Sequence, residues 1–359
     1  MTDLRKRLEV IPGLDRLWSP DQRLRIFPFP EDERINPFYK DGFRPYGVMG
    51  CDLSPHQNIK TISVLGIFLD ALERGKLVGV EELVEATSGN TGIAMLPLAT
   101  CVGIKRVTLI INQDLADGKR GPLELSFSGK LTFKYPEGNL SGIATARRMG
   151  GGGYTEGDAW KHNDGVFNLD QYGNPKNALL HELYTGPEIL KAIPDVRLYI
   201  GATGTGGTTI GIMNFLRRHV DDVKALGVFC APGEKLPGVR DFDRMKEITL
   251  PWRESIDASI EVTTRQGYLM SLWLVRLIGE MFGPSGAGAY AGGLKFIKSS
   301  KENGTLDDLR VKKGPNKGLI PAAIMIPDNY RPYMDHYKSN LTAEQFNAGT
   351  SPLPTSLLW

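Results

Sequence analysis

A short polar turn at residues 87–92, Thr-Ser-Gly-Asn-Thr-Gly, carries the strongest chemical signal in the chain. An apolar run predicted as a strand precedes it at 83–85, and a stretch predicted as a helix follows at 91–101. The hydroxyls of Ser88 and Thr91, together with free N–H groups at a helix N-terminus, suit an anion such as a carboxylate. The simpler alternative is an ordinary helix N-cap, where Ser, Thr and Asn are common.

A second glycine-rich turn lies at 201–211, again between a predicted strand and a predicted helix. Its N–H groups and two hydroxyls would face one concavity, which is the geometry that holds a phosphate. The residues concerned are Gly204, Thr205, Gly206, Gly207 and Thr208. A plain tight turn is one alternative, and a dinucleotide-binding loop is another.

The dinucleotide alternative fails on spacing. The Gly-x-Gly-x-x-Gly pattern that starts at Gly204 ends on Thr209, and no acidic residue ends the next predicted strand at 225–230. No Gly-Lys-Ser/Thr follows either, which excludes a nucleotide P-loop. The ligand that we expect at this turn is therefore the single phosphate group of a small cofactor.

The composition is that of an ordinary globular protein. The 359 residues carry a formal net charge of +2, with 23% charged residues, so we expect neither nucleic acid nor a membrane surface as a partner. No stretch reaches the roughly 18 apolar residues of a membrane span, and the first residues do not resemble a secretory signal. Three scattered cysteines indicate buried thiols and a reducing, cytoplasmic location. The five histidines are not spaced as metal ligands usually are, so we expect no metal site.

Predicted strands and helices alternate in two series, which indicates an α/β fold with two open parallel sheets. A helix at 58–75 precedes the first series, which is strand 83–85, helix 91–101, strand 106–111, possible helix 121–126, strand 131–134 and helix 140–149. The second series is strand 166–169, helix 177–193, strand 196–200, helix 208–219, strands 225–230 and 259–262, helices 266–282 and 287–298, and strand 322–326. Ligands in this architecture bind in the cleft at the carboxyl ends of the strands.

The length predicts two domains. Residues 1–45 are expected to form an irregular segment on the larger domain. Residues 46–165 would form a smaller, mobile α/β domain with the carboxylate-binding turn. Residues 166–345 would form the larger α/β domain with the phosphate loop, followed by a C-terminal tail at 346–359.

A phosphate-bearing cofactor beside a carboxylate-binding turn suggests pyridoxal phosphate (PLP) acting on an amino acid, which requires a lysine to form an imine. The chain resembles the cysteine synthase (O-acetylserine sulfhydrylase) and cystathionine β-synthase family of fold type II, tryptophan synthase β-like, PLP enzymes. Residues 53–60 resemble its lysine segment, 85–94 its carboxylate loop and 204–208 its phosphate loop. Further resemblances are 169–178 and 181–189 to its central glutamine segment, 283–287 to a turn near the cofactor ring, and 326–334 to the strand end at the ring nitrogen.

The resemblance implies a role for each matching residue. Lys60 would form the imine with PLP and move the α-proton, Asn90 would hydrogen-bond the ring oxygen, and Asn329 would lie near the ring nitrogen. The substrate carboxylate would be held by Thr87, Ser88, Gly89, Thr91 and Gln171. The cofactor phosphate would be held by Gly204, Thr205, Gly206, Gly207 and Thr208. The family also implies a homodimer, for which apolar surface on the predicted helix 266–282 would serve.

We therefore expect β-replacement through an aminoacrylate on O-acetylserine, O-phosphoserine or serine. The neutral amide of Asn329 would leave the ring nitrogen unprotonated, which favours β-elimination over chemistry that needs a full electron sink. Lys119 and Arg120 could meet a phosphate leaving group, although a charged surface loop is the simpler interpretation of this pair.

Three other functions remain open. They are a β-eliminating deaminase or desulfhydrase, a specialised synthase that uses a nucleophile other than sulfide, and a non-catalytic relative that keeps the fold. They stay open because the chain departs from the family pattern at residues 56–58 before Lys60 and in the loop at 112–120.

Overall fold

The structure is a computed structural model that describes residues 6–11, 23–52, 57–111, 117–152, 165–280 and 282–347. The start of the predicted lysine segment at 53–56, the loop at 112–116 and the predicted tail from 348 onward lie outside the described residues. The described chain forms two sheets covered by helices, which confirms the predicted α/β class.

Ten strands form these two sheets within the described ranges. In chain order they are β1 Ile26–Pro28, β2 Phe43–Val48, β3 Glu82–Ala86, β4 Arg106–Ile110, β5 Lys130–Lys134, β6 Val166–Asn168, β7 Leu198–Ala202, β8 Lys224–Cys230, β9 Ala258–Val262 and β10 Ile320–Met325. The larger sheet has the order β1-β2-β10-β7-β8-β9 and is parallel except for β1. The smaller sheet has the order β5-β4-β3-β6 and is parallel throughout.

The central strands of the larger sheet are buried on both faces. All six residues of β10 are buried, and so is every residue of β8 except the first. Parallel strands covered by helices on both sides have continuous apolar sequences, which is why short apolar runs located them correctly.

Ten α-helices accompany the strands in the part of the chain that is described. They are α1 Lys60–Glu73, α2 Asn90–Cys101, α3 Asp117–Leu125, α4 Gly142–Gly150, α5 Gly186–Ala192, α6 Gly207–Leu216, α7 Thr264–Ile278, α8 Pro284–Glu302, α9 Met334–Asn340 and α10 Ala343–Asn347. Most predicted helices therefore match an observed one within a few residues at each end.

The predicted helix at 177–193 is the exception, because it is interrupted. A 3₁₀ turn covers Pro175–Asn177 and a π-helical turn covers His181–Thr185, so α5 starts only at Gly186. Pro187 lies in the first turn of α5 and has no amide hydrogen for the hydrogen-bond ladder of one continuous helix. The π-helical turn packs against α6.

The N-terminal segment is more regular than predicted. Residues 1–45 were expected to be irregular, yet β1 and β2 join the larger sheet, with β2 directly beside β10. Pro45 and Gly47 interrupt the apolar pattern of β2 and hide it from a pattern-based prediction. At the predicted domain boundary near 165, β6 pairs with β3 of the smaller sheet rather than with the larger one.

Apolar side chains of α7, which covers most of the predicted helix 266–282, are half-buried rather than fully exposed; they include Leu269, Leu272 and Leu277. The predicted part of this helix in a homodimer stays a prediction. Within the described residues, no helix is long and apolar enough to cross a bilayer.

Gly211 tests how closely α6 packs on the π-helical turn. A Cβ atom there would overlap the Ala178 carbonyl oxygen and lie 2.9 Å from the Glu182 amide nitrogen. We expect Gly211→Ala to lower the free energy of unfolding by about 1–3 kcal/mol, because the backbone must move.

Gly121→Ala in α3 is the matched control. A Cβ atom at Gly121 meets nothing within 4 Å, so its better helix propensity should stabilise the protein by about 0.5–1 kcal/mol. Denaturant unfolding measures both variants, and the same effect from each would contradict the packing described here.

Candidate active site

A cavity of about 550 Å³ lies where the carboxyl ends of strands from both sheets face each other. Its wall includes residues that follow β3, β7 and β10. Six residues predicted from the sequence line it: Lys60, Asn90, Gly204, Thr205, Gly206 and Thr208. Ser285 and Asp328 line it as well, although no role was predicted for them.

Lys60 is the first residue of α1. Its ammonium has no ion-pair partner among the residues that the structure describes. Burial lowers the pKa of Lys60 to about 8, and the Asp328 carboxylate opposes this effect. A lysine with such a pKa holds a useful fraction of neutral amine near physiological pH, as a nucleophile or base requires.

The predicted carboxylate turn has the expected connection from strand to helix. Gly89 stands at the N-cap of α2 with a φ of 115°, a conformation that only glycine adopts readily. Its N–H donates to the Thr87 hydroxyl oxygen over 2.9 Å. Ser88 is exposed, whereas Thr91 is buried, so the hydroxyl of Ser88 is the accessible one.

Thr91 and Gln171 connect the turn to strand β3 by hydrogen bonds. The Thr91 hydroxyl donates to the Gln171 side-chain oxygen over 2.8 Å, and the Gln171 amide donates to the Ala86 carbonyl oxygen and to Glu85. These two side chains are thus bound to each other and to β3. Their predicted role in holding a substrate carboxylate stays a prediction.

Glu85 is a buried carboxyl beneath the same turn. Burial raises the pKa of Glu85 to about 8, and the nearby Asp170 carboxylate acts in the same direction. Hydrogen bonds from the backbone and side chain of Gln171 offset part of this effect. Glu85 therefore holds its proton at neutral pH and adds no full negative charge beneath an anion-binding turn.

The second glycine turn has the shape of an anion cradle at the start of α6. Gly206 has a φ of 85°, and the Thr205 hydroxyl accepts hydrogen bonds from the Gly207 N–H and from Asn177. A Cβ atom at Gly204 would lie 2.6 Å from the Gly238 carbonyl oxygen. Glycine is thus required where the backbone lies close to its neighbours, and the start of α6 adds partial positive charge for an anion.

His181 holds this cradle in place. Its Nε2 lies 3.1 Å from the Ser63 hydroxyl and 3.2 Å from the Thr208 hydroxyl, and its Nδ1 lies 3.1 Å from the Thr185 hydroxyl. Burial lowers the pKa of His181 to about 3, with the Lys60 charge acting in the same direction, so the ring is neutral. The π-helical turn places it between α1 and α6.

Asn329 does not line the cavity, contrary to the predicted position near a cofactor ring nitrogen. Its amide donates to Gln57 Oε1 over 2.7 Å, and its side-chain oxygen accepts from the Arg331 N–H over 2.9 Å. The preceding residue, Asp328, lines the cavity instead. Side chains alternate along an extended chain, so the inward position belongs to Asp328.

Asp328 is the buried carboxylate of the site. It accepts hydrogen bonds from the Ser285 hydroxyl over 2.8 Å, from the Asn90 amide over 3.0 Å and from the Tyr333 hydroxyl. The neutral Asn329 amide, on which the sequence argument for β-elimination rested, is thus replaced at the cavity wall by a hydroxyl and a carboxylate. The sequence analysis placed both segments, 283–287 and 326–334, at the cofactor ring but did not single out these two residues, which are 43 positions apart.

A protein-family model described as "Pyridoxal-phosphate dependent enzyme" matches residues 51–306. This match covers more than two thirds of the chain. The chain belongs to this family of PLP-dependent enzymes. The predicted cofactor and the predicted enzyme class are thereby confirmed.

Individual relatives of this PLP-dependent enzyme agree with the predicted resemblance. Cysteine synthase B of Escherichia coli is 27% identical over 251 residues, which cover 69% of this chain and 78% of that protein. Cystathionine beta-synthase of Dictyostelium discoideum is 25% identical over 288 residues, which cover 75% of this chain and 51% of that protein. A crystal structure of cysteine synthase from Entamoeba histolytica has the same fold, with a TM-score of 0.69 at 21% identity over 98% of this chain and 93% of that one.

The cavity fits the PLP of this family. Lys60 offers an amine without an ion-pair partner, and the cradle at Gly204–Thr208 leaves its wall free of bulky side chains at the start of α6. Ser285 and Asp328 offer a hydroxyl and a carboxylate on the same cavity wall. A phosphorylated pyridine aldehyde would need three kinds of group: an amine for its aldehyde, a cradle for its phosphate and a polar partner for its ring nitrogen. Lys60, the glycine cradle and the Ser285–Asp328 pair are of these kinds.

Glu85 should make the stability of this PLP-dependent enzyme depend on pH. Its carboxyl titrates near 4.5 when unfolded and near 8 when folded, so the folded state binds the extra proton between these values. Its stabilising contribution is complete below about pH 4.5 and is lost as the pH rises to about 8. The Glu85→Gln variant has no carboxyl to titrate at this position. As the pH rises through this window, its free energy of unfolding should therefore increase relative to that of the wild type by about 1 kcal/mol per pH unit.

Denaturant unfolding of both proteins between pH 5 and 8 measures this difference. Parallel stability curves would show that Glu85 is already ionised at neutral pH, and would contradict its assignment as a protonated support of the turn.

Proposed function

We propose that the protein catalyses PLP-dependent β-replacement on a serine-derived amino acid, in the manner of a cysteine synthase. The observation that carries the proposal is one cavity lined by Lys60, by Asn90 of the carboxylate turn and by four residues of the glycine cradle: Gly204, Thr205, Gly206 and Thr208. The predicted substrate-binding residues Thr87, Ser88, Gly89, Thr91 and Gln171 do not line it. The relatives named cysteine synthase support the same reaction class. O-acetylserine is the first substrate to test, ahead of O-phosphoserine and serine.

Lys60 is the proposed acid–base group. When bound, PLP would withdraw electrons from the α-carbon of an amino acid and so make its α-proton acidic. The lowered pKa of Lys60, about 8, lets its amine accept that proton near neutral pH, and the same group is suited to anchor the cofactor. Its position at the start of α1 keeps the amine at the cavity wall.

The carboxylate turn is the proposed substrate-binding element. Ser88 and the N–H groups at the start of α2 would bind the α-carboxylate, with the helix N-terminus adding partial positive charge. Thr87 and Gly89 shape the turn, since their mutual hydrogen bond fixes its backbone. Thr91 and Gln171 would either keep their mutual bond or exchange it for the substrate carboxylate.

The glycine cradle is the proposed phosphate site. Gly204, Thr205 and Gly206 would supply N–H groups, and Thr208 would supply a hydroxyl. Gly207 would supply its N–H by giving up its bond to the Thr205 hydroxyl. With its proton on Nε2, the neutral His181 would donate to the Thr208 hydroxyl oxygen and leave the Thr208 hydrogen for the phosphate. Such preorganisation lowers the cost of binding.

Ser285 and Asp328 are the proposed partners of the cofactor ring nitrogen, in place of Asn329. The Ser285 hydroxyl donates to Asp328, so a ring N–H would find a hydroxyl oxygen or a carboxylate as its acceptor. A protonated ring nitrogen would favour carbanion chemistry in general. The argument from Asn329 concerned β-elimination as a step that replacement shares, so it does not decide between replacement and elimination, and an assay must separate them.

The quaternary structure and location remain proposals. A homodimer is consistent with the family, and the half-buried apolar side chains of α7 would serve as part of its interface. A cytoplasmic location is consistent with the buried thiols of Cys51 and Cys230. The two-domain division proposed from the sequence places β3, β4 and β5 with the carboxylate turn in the mobile part, and the pairing of β6 with β3 moves the boundary beyond residue 168.

Lys60→Arg tests the catalytic assignment. Arginine keeps the positive charge but neither forms an imine readily nor accepts a proton near neutral pH, so product formation should fall by about a thousandfold or more. Lys246→Arg, on an exposed lysine far from the cavity, should leave the rate unchanged. Steady-state rates with O-acetylserine and sulfide measure both variants, and a Lys60→Arg variant with near wild-type rate would reject the assignment.

Product analysis tests the reaction class. With O-acetylserine and sulfide the wild type should form cysteine as the main product, and pyruvate should stay a minor product. Omission of sulfide should stop cysteine formation without a matching rise in pyruvate. Pyruvate at the same rate with or without sulfide would instead identify a β-eliminating enzyme.

A further inference from the structure

A second buried lysine lies behind the carboxylate turn. Lys119, in the first turn of α3, is 2% exposed. Its Nζ donates to the Ser88 carbonyl oxygen over 3.2 Å and lies 4.6 Å from the centre of the Tyr333 ring. The charged surface loop that was the simpler interpretation of Lys119 and Arg120 therefore does not apply to Lys119, which is buried. The neighbouring Arg120 is exposed.

Local structure does not explain a cation at this position. A helix N-terminus disfavours positive charge, and burial lowers the pKa of Lys119 to about 8, against the opposing effect of Asp328. Within the described part of the chain, its ammonium forms no ion pair. Among the described residues, the Asp328 carboxylate acts on this ammonium without forming an ion pair with it, and already accepts hydrogen bonds from three other side chains. An anion from outside the chain would therefore supply a closer counter-ion.

The contacts of Lys119 connect the turn to the larger sheet. Tyr333, which lies under the ammonium, donates its hydroxyl to Asp328, and Asp328 also accepts a hydrogen bond from Asn90. Both Ser88 and Asn90 are therefore tied to the chain that follows β10. The turn is held at the two residues on either side of Gly89.

Gly118 allows this arrangement. A Cβ atom at Gly118 would lie 2.8 Å from the Pro332 carbonyl oxygen, so only glycine lets α3 lie this close to the chain before Tyr333. The close approach brings the Lys119 ammonium over the ring and next to the Ser88 carbonyl oxygen.

We propose that the Lys119 ammonium is a positioning charge for the α-carboxylate of the amino-acid substrate. It fixes the Ser88 peptide by its hydrogen bond and attracts the carboxylate by its charge, while the hydroxyl and N–H groups of the turn make the direct contacts. The inference rests on the proposed function, because it needs an amino-acid carboxylate at this turn.

Binding of L-alanine and L-alaninamide to the PLP-loaded enzyme tests the proposal. Neither ligand has a β-leaving group, and they differ in the carboxylate charge. Lys119→Met should weaken L-alanine binding about tenfold or more, since a charge pair across a partly buried site is lost, and should change L-alaninamide binding less than about twofold. Lys119→Arg keeps the positive charge and should therefore keep most of the wild-type preference for L-alanine over L-alaninamide.

Arg120→Met is the matched control. Its guanidinium lies 5.3 Å from the centre of the Phe133 ring, away from Ser88, so the variant should bind both ligands like the wild type. Thermal unfolding of each variant confirms that it is folded, and the ratio of the two affinities remains informative even for a less stable variant.

Three results would overturn the proposal. Equal weakening of both ligands by Lys119→Met would show that the lysine only shapes the turn. A selective loss of O-phospho-L-serine binding would show that the charge serves the β-substituent. A wild-type enzyme that binds cofactor but neither alanine ligand would overturn the proposed function as well, and so distinguishes the two failures.

Discussion

The convergence of helix N-termini on one cavity constrains what this protein can bind. Four helices begin at or next to residues that line the cavity, at Lys60, Asn90, Gly207 and Pro284, and each N-terminus adds partial positive charge there. Such a cavity attracts a ligand that is negative at more than one point, and it disfavours an ammonium. Burial already lowers the pKa of Lys60, and the helix N-terminus acts in the same direction. A phosphorylated aldehyde together with an amino-acid carboxylate satisfies both conditions.

Asp328 balances this positive potential and joins the parts of the site. It accepts hydrogen bonds from Asn90 of the turn, from Ser285 of α8 and from Tyr333 below Lys119. Each donor comes from a different segment of the chain, so one carboxylate aligns the substrate turn with the cavity wall. Its charge also opposes the fall in the pKa of Lys60, which keeps that amine able to take up a proton.

The sequence was informative where a site is built from consecutive residues. The turn at 87–92 and the cradle at 204–208 are local strings whose strand–turn–helix context follows from apolar runs, and both lie where expected. Long-range contacts were not accessible in this way. The choice between Asp328 and Asn329 depends on which of the two neighbouring side chains points into the cavity. The position of His181 depends on a π-helical turn, which the spacing of apolar residues does not predict. Strand β2 was missed because Pro45 and Gly47 break its pattern.

The central claim is that the Lys60 amine holds the cofactor. Borohydride reduction of the PLP-loaded protein, followed by proteolysis and mass spectrometry, tests it directly because reduction makes the bond to the lysine permanent. The account predicts a phosphopyridoxyl group on the peptide that contains Lys60, and its absence from the peptide that contains Lys119. Modification of Lys119 or of any other lysine in place of Lys60, or of no lysine at all, would contradict it.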